Sequence, residues 1–220
     1  MESSTQLILI LALATLAPFI IAAGTCYLKF SIVLVMTRNA LGVQQVPSNM
    51  VLNAIAFMMA LFVMTPITKN ICYYAIENKV DMSSPDAIES FSNEALGDYK
   101  KYLYHYSDPD LLAFFEQAQE NRPNSDGDKE NIENSLLSLL PAYALSEIKS
   151  AFIIGFYLYL PFIVIDLVVS CILLALGMMM MMSPITLSVP LKLILFIAMD
   201  GWGLLSKGLI NQYLDLMAVN

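Results

Sequence analysis

Four charged side chains, Lys29, Asp166, Lys192 and Asp200, stand in stretches that are otherwise almost wholly apolar. A charge held in hydrocarbon costs at least ~2.5–3.5 kcal/mol, so such residues are expected to face a bundle interior or a partner. Three chemistries are open to them. Asp166 and Lys192 are a natural ion pair, within one chain or between copies, and Asp200 belongs to the same candidate set. Alternatively, Asp166, Lys192 and Asp200 line a path for a small solute. That would call for internal repeats, and the two hydrophobic halves show no convincing similarity. Finally, two carboxylates sharing a proton could cleave a peptide bond inside the membrane. Against this, Asp200 lies in Met199-Asp200-Gly201-Trp202 and lacks the preceding Gly-x-Gly of such enzymes. For Lys29 and Lys192 a simpler role is also open, with the ammonium reaching along the stem to the membrane surface. Glu147 and Lys149 are two apart, so on a helix they do not face each other. They are expected to pair with neighbouring chains or other elements.

A second chemistry is mechanical. Met178, Met179, Met180, Met181 and Met182 are consecutive, followed by Ser183-Pro184 and, further on, Pro190. Methionine is unbranched and soft and fits irregular or changing surfaces. Core-filling residues recur at helical spacing, whereas a continuous run projects all round and cannot pack on one surface. The run reads either as a deformable apolar lining or collar, or as a lipid-facing or interhelical patch in which Met replaces Leu.

Other chemistries find no support. The single histidine, His105, lies in a Tyr-rich segment and reads as a surface or interface residue. Cys26, Cys72 and Cys171 form no C-x-x-C, so neither zinc nor a disulfide framework is indicated. No G-x-x-x-x-G-K-[ST] loop is present, so any ATP-driven step belongs to partners. No cofactor or metal is expected. Nucleic acid is an unsuitable partner, because no basic patch could neutralise phosphates.

The elements that position these residues follow from composition. Of 220 residues, 58% are hydrophobic and 14% charged, against roughly 45–50% and 25% in soluble domains. Mean hydropathy is +0.66. The chain is therefore membrane-associated and, by its patterning, all-α. The net charge of −8 is concentrated: residues 77–133 carry 14 acidic and 5 basic side chains.

The first apolar stretch, 7–36, is longer than the ~20 residues of one span and is interrupted at Pro18, Gly24-Thr25 and Lys29. A broken helix or hairpin is expected there. A second segment, 50–67, is expected to end at Pro66. The polar insert reads as a small helical domain, with one helix starting at Ser84-Pro85-Asp86 and ending at Gly97. Another starts at Ser107-Asp108-Pro109-Asp110 and closes at Pro123, before a mobile loop over 121–134. Leu145, Ile148, Phe152, Gly155, Phe156 and Tyr159 form one helix face on the way back. A third apolar segment runs to Met182 and a fourth covers 185–205. Three regions result: 1–68, hydrophobic helical segments; 69–140, the acidic helical insert; and 141–220, a hydrophobic hairpin with the Met-rich loop. Arg38 and Lys192, taken as lying in short connections, place those connections in the cytoplasm and the insert outside.

Three long stretches are specific. GTCYLKFSIVLVMTRNALGVQQVPSNMVLN, LLPAYALSEIKSAFIIGFYLYLPFIVIDLVVS and LALGMMMMMSPITLSVPLKLILFIAMDGWGLLSKGLI closely resemble the SctR/FliP family, the export-gate proteins of bacterial type III secretion systems. The resemblance covers residues 7–68 and 138–213 and is nearest to injectisome members of the Salmonella pathogenicity island 1 and Shigella type. Flagellar relatives usually begin with a cleavable signal. Here MESSTQ carries Glu2 and no basic residue, so the first stretch is expected to be retained.

The resemblance implies hydrophobic helical hairpins assembling, as a pentameric homo-oligomer with SctS and SctT, into a cone-shaped gate. It implies placement at the bacterial inner membrane, with the gate projecting to the periplasmic side and sister subunits covering the helices in place of lipid. It implies SctU, SctV and a rod or needle adaptor as further partners, and unfolded secreted proteins in transit. It assigns the channel gasket to Met178–Met182.

Overall fold

A computed structural model describes residues 11, 15, 18, 19, 21–77, 96–120, 135–178 and 182–214. Among these no strand occurs. The helices are α1 (Tyr27–Ala40), α2 (Asn49–Glu77), α3 (Gly97–Tyr106), α4 (Pro109–Glu120), α5 (Leu136–Ala175), α6 (Pro184–Ala198) and α7 (Gly201–Asn211). The expected helix over 84–95 and the loop over 121–134 lie outside the described residues, as does most of the first apolar stretch before residue 21.

Several expected boundaries move. Pro66 does not end the second segment, because α2 runs 29 residues straight through it. Proline removes one amide donor and crowds the preceding turn, but the loss is local. Thr68 Oγ1 donates to Met64 O (3.1 Å) and Thr65 O (3.0 Å) in that turn. Apolar surroundings leave the remaining backbone groups no partner except each other. For the same reason the return helix and the third apolar segment are one element, α5, of 40 residues, with Pro141 and Pro161 inside it. At 1.5 Å per residue it is about 60 Å long, twice the hydrocarbon thickness of a bilayer. Gly97 is the first residue of α3, and the helix it was expected to end lies outside the described residues. Lys192 and Arg38, taken from sequence as parts of connections, sit in the middle of α6 and in the last turn of α1.

Two helices, α2 over Asn49–Tyr73 and α5, are long and apolar enough to cross a membrane. A third crossing is available if α6 and α7, bent by 59° at their junction, count as one span. This is a membrane protein.

The chain divides into two compact units, each drawn from separate stretches. The first comprises Met1–Leu28 and Met64–Ile148. Here α3 lies on the opening turns of α5. Tyr102, Leu103, Leu139, Ala142 and Tyr143 are buried, and the Tyr102 and Tyr143 hydroxyls share a hydrogen bond. Ser146 Oγ accepts from Asp108 N (2.7 Å) and donates to Ala142 O (2.7 Å), tying the start of α4 to α5. As expected, α4 begins at Pro109, with Asp108 Oδ1 accepting from Asp110 N (3.0 Å). The Tyr99 hydroxyl donates to Gly24 O at 2.8 Å.

Burial pushes the Tyr99 phenol up to about 12 from an ordinary 10.0 and holds the Tyr102 phenol well above its ordinary range, helped there by the nearby Cys26 and Glu147. Below pH 10 both folded and unfolded chains keep the Tyr99 proton, and its stabilising effect is complete. Between 10 and 12 the unfolded chain releases it first, so stability falls by about 1.4 kcal/mol per pH unit. Thermal melts across this window are expected to show that alkaline loss in the wild type and a smaller one in Tyr99→Phe. Equal slopes would contradict the assignment.

The second unit comprises Lys29–Val63 and Lys149–Asn220. Within it α1 meets the first half of α2 through Ser31 Oγ, which donates to Asn53 Oδ1 at 2.7 Å. Lys29 does not reach outward. It is 4% exposed, lies 4.8 Å from the Tyr213 ring centroid and donates to Gln212 Oε1 at 3.4 Å. Gly42, in the turn after α1, has φ +74°, and a Cβ there would stand 2.8 Å from Val189 Cγ2 of α6. Gly42→Val combines a left-handed backbone with a clash and is expected to cost about 2–4 kcal/mol. Denaturant or thermal unfolding in detergent checks it, and a loss below 0.5 kcal/mol would mean the turn adapts.

Candidate functional site

The second unit contains both features singled out from sequence, the ion pair and part of the methionine run. Lys192 is 6% exposed, and its Nζ donates to Asp166 Oδ2 at 2.6 Å and to Ala40 O at 3.2 Å. Ala40 is the last residue of α1. Its carbonyl has no donor within the helix and sits at the negative end of the helix dipole, where a cation is favoured. One ammonium thus joins the end of α1 to α5 and α6. Asp166 keeps 43% of its side chain exposed, so its second oxygen remains open to solvent or a neighbour. Ser170 Oγ donates to Asp166 O at 2.7 Å on the same helix.

An apolar cluster of Ala40, Leu41, Phe162 and Phe196, flanked by Val43, Tyr159, Ile165 and Leu193, packs beside this pair. Phe196 contacts Phe162 (centroids 6.3 Å) and meets Trp202 edge-on at 5.2 Å. Water exclusion by these rings strengthens the Lys192–Asp166 attraction and raises the cost of breaking it.

The methionine run occupies the link between α5 and α6. Gly177, with φ +69°, turns the chain out of α5. Met178 N bonds back to Leu173 O (3.0 Å) and Gly177 N to Leu174 O (3.0 Å), the double return bond that closes many helices on a glycine. Met182 N bonds to Met178 O at 3.1 Å. Ser183 then stands at the N-cap in extended conformation, with Pro184 opening α6. Met178 and Met182 are each 37% exposed. Met179, Met180 and Met181 lie outside the described residues. Asp166 and Lys192 are each about ten residues from the ends of this link, roughly 15 Å along the helices.

Asp200 is not part of the pair. It sits exposed at the break between α6 and α7, with φ +49°, as the residue before α7. Among the described residues no hydrogen bond joins it to Asp166. Glu147 is buried at 1% exposure in the first unit, and Lys149 is exposed in the second. Sequence reasoning missed the Ala40 carbonyl. A backbone acceptor has no side-chain signature, although Gly42 two residues later marks the helix end that leaves it open.

The FliP family matches residues 10–209 of the chain. The surface presentation of antigens protein SpaP of Shigella flexneri is 58% identical over 218 residues, covering 99% of this chain and all of that protein. SpaP of Salmonella typhi is 56% identical over 223 residues, covering 98% and 99%. The Yop proteins translocation protein R of Yersinia pestis is 43% identical over 209 residues, covering 94% and 95%. Near full-length identity of this order, carried through both hydrophobic halves, places the chain in the FliP family.

Proposed function

We propose that this chain is a pore-forming subunit of the export apparatus of a bacterial type III secretion system, passing unfolded proteins through a sealed channel. Relatives named for translocation and for surface presentation support a secretion component. The observation that carries the finer reading is the position of the methionine run. In sequence it lies in the link between two apolar helices, beginning at the residue after the Gly177 cap and ending two residues before Pro184. Repeated around an axis, such turns form a collar of thioether chains. Packed together it excludes water and ions by dewetting, and being soft it yields to a passing polypeptide.

In this reading the chain is not an enzyme. Copies form a pentameric ring with SctS and SctT, in contact with SctU, SctV and a rod or needle adaptor. The ring stands at the bacterial inner membrane and projects to the periplasmic side. Lys192 and Asp166 fix the α5–α6 hairpin that presents the collar, and the open oxygen of Asp166 is available to a neighbouring copy. Asp200 and Lys149, both exposed, are candidates for contacts between copies, and the buried Glu147 for a contact between helices of one chain.

Native mass spectrometry of the chain extracted in mild detergent, alone and with SctS and SctT, tests this. A discrete pentamer that takes up both subunits is expected. A monomer or dimer indifferent to them would overturn the gate and favour a small-solute transporter.

A further inference from the structure

The 59° bend between α6 and α7 falls where the chain holds no proline. Pro190 is the last in the sequence, so nothing covalent stops one helix from running on to Asn211. A continuous helix would give the amides of Gly201, Trp202 and Gly203 acceptors in the preceding turn. The opening amides of a separate helix have none inside it. In apolar surroundings that difference favours the straight form. The bent form therefore needs interactions of its own.

These are gathered around Asp200. Its backbone is left-handed, with φ +49° and ψ +49°, a conformation that Asp and Asn tolerate better than other side chains. Asp200 N bonds to Ile197 O (3.0 Å) at the end of α6, and Asp200 O accepts from Leu204 N (2.9 Å) to open α7. One residue thus serves both helix ends. Its carboxylate lies over the first turn of α7, in the space that a Cβ on Gly203 would occupy. There the negative charge faces the positive end of the α7 dipole.

The Phe196 ring fills the space that a Cβ on Gly201 would take. On a continuous helix Phe196 and Trp202, six residues apart, would point about 120° away from each other. The bend brings their rings together edge-on at 5.2 Å. Phe196 also packs with Phe162 in the cluster beside Lys192 and Asp166, so the joint and the ion pair share a side chain.

We propose that the α6–α7 junction is a two-state joint, latched bent by the Asp200 carboxylate seated on Gly203 and the Phe196 ring seated on Gly201. Released, it extends into one helix and withdraws Phe196 from the cluster that covers Lys192. The inference stands on the geometry of the joint and apart from the export reading.

The test is the distance between spin labels at Ile185 and Asn211, both exposed, in the full chain in mild detergent. Cys26, Cys72 and Cys171 are replaced by alanine, and labelled copies are diluted with unlabelled ones. Along the helix axes the bent form separates these positions by about 34 Å and a straight one by about 39 Å. The wild type is expected at the shorter distance. Gly203→Ala and Gly208→Ala raise helix propensity alike, but only the first displaces the Asp200 carboxylate. Among the described residues no atom lies within 4 Å of a Cβ built on Gly208. Gly203→Ala is therefore expected to shift most of the population by about 5 Å, and Gly208→Ala to leave it in place. Asp200→Leu should lengthen the distance as Gly203→Ala does, and if it fails to fold the two glycine variants decide alone. An unshifted distance in Gly203→Ala, or an equal shift in Gly208→Ala, would overturn the latch.

Discussion

Asp166→Asn is expected to destabilise the protein by about 2–4 kcal/mol, whereas Lys192→Met costs roughly 1 kcal/mol. The asymmetry follows from burial. Lys192 is nearly inaccessible and Asp166 is not, with side-chain exposures of 7% and 43%. Removing the carboxylate charge strands an ammonium among Phe162, Phe196 and Leu193, with Ala40 O as its remaining strong acceptor. Removing the ammonium leaves a carboxylate that can turn to water, and methionine refills the space. In the double variant no buried charge is left, so its stability should lie near that of Lys192→Met. The coupling between the two sites should then exceed ~1.5 kcal/mol. Thermal unfolding in detergent measures all four corners of the cycle. If Asp166→Asn matched the wild type, the contact would be a surface pairing of little consequence.

Replacing Met178–Met182 together by alanine has the opposite signature, a large functional effect with little loss of stability. Met178 and Met182 are each more than a third exposed, and the backbone bonds that shape the turn use main-chain atoms alone. Each substitution is therefore expected to change stability by less than ~0.5 kcal/mol. In the assembled export complex in a planar bilayer, the proposed collar would lose its thioether chains and could no longer exclude water. Small-ion conductance of the idle complex should rise at least about tenfold, with assembly intact by native mass spectrometry. A variant that assembles and still seals would refute the gasket. Replacement by leucine should seal but slow the passage of protein, because a branched side chain yields less readily.

What sequence could determine here follows from patterns that read along one chain. Apolar runs with few charges dictated helices and a membrane environment, because backbone amides in hydrocarbon must bond within their own helix. The caps were equally local. Ser107-Asp108-Pro109 opened α4, and Gly177 and Ser183-Pro184 bracket the methionine turn. The opposite signs of Asp166 and Lys192 in apolar surroundings marked them as a pair to examine. Tertiary structure decided what local rules could not. Pro66 read as a break because proline removes a donor, yet α2 passes through it, as α5 passes through Pro141 and Pro161, since the surroundings offer the backbone nothing better. Gly97 was ambiguous because a glycine suits either end of a helix. The second partner of Lys192 is a backbone carbonyl 152 residues away, and Arg38 bonds the Pro47 carbonyl and the Asn49 amide at the start of α2. Both depend on where helix ends fall in space, which no spacing along the chain encodes.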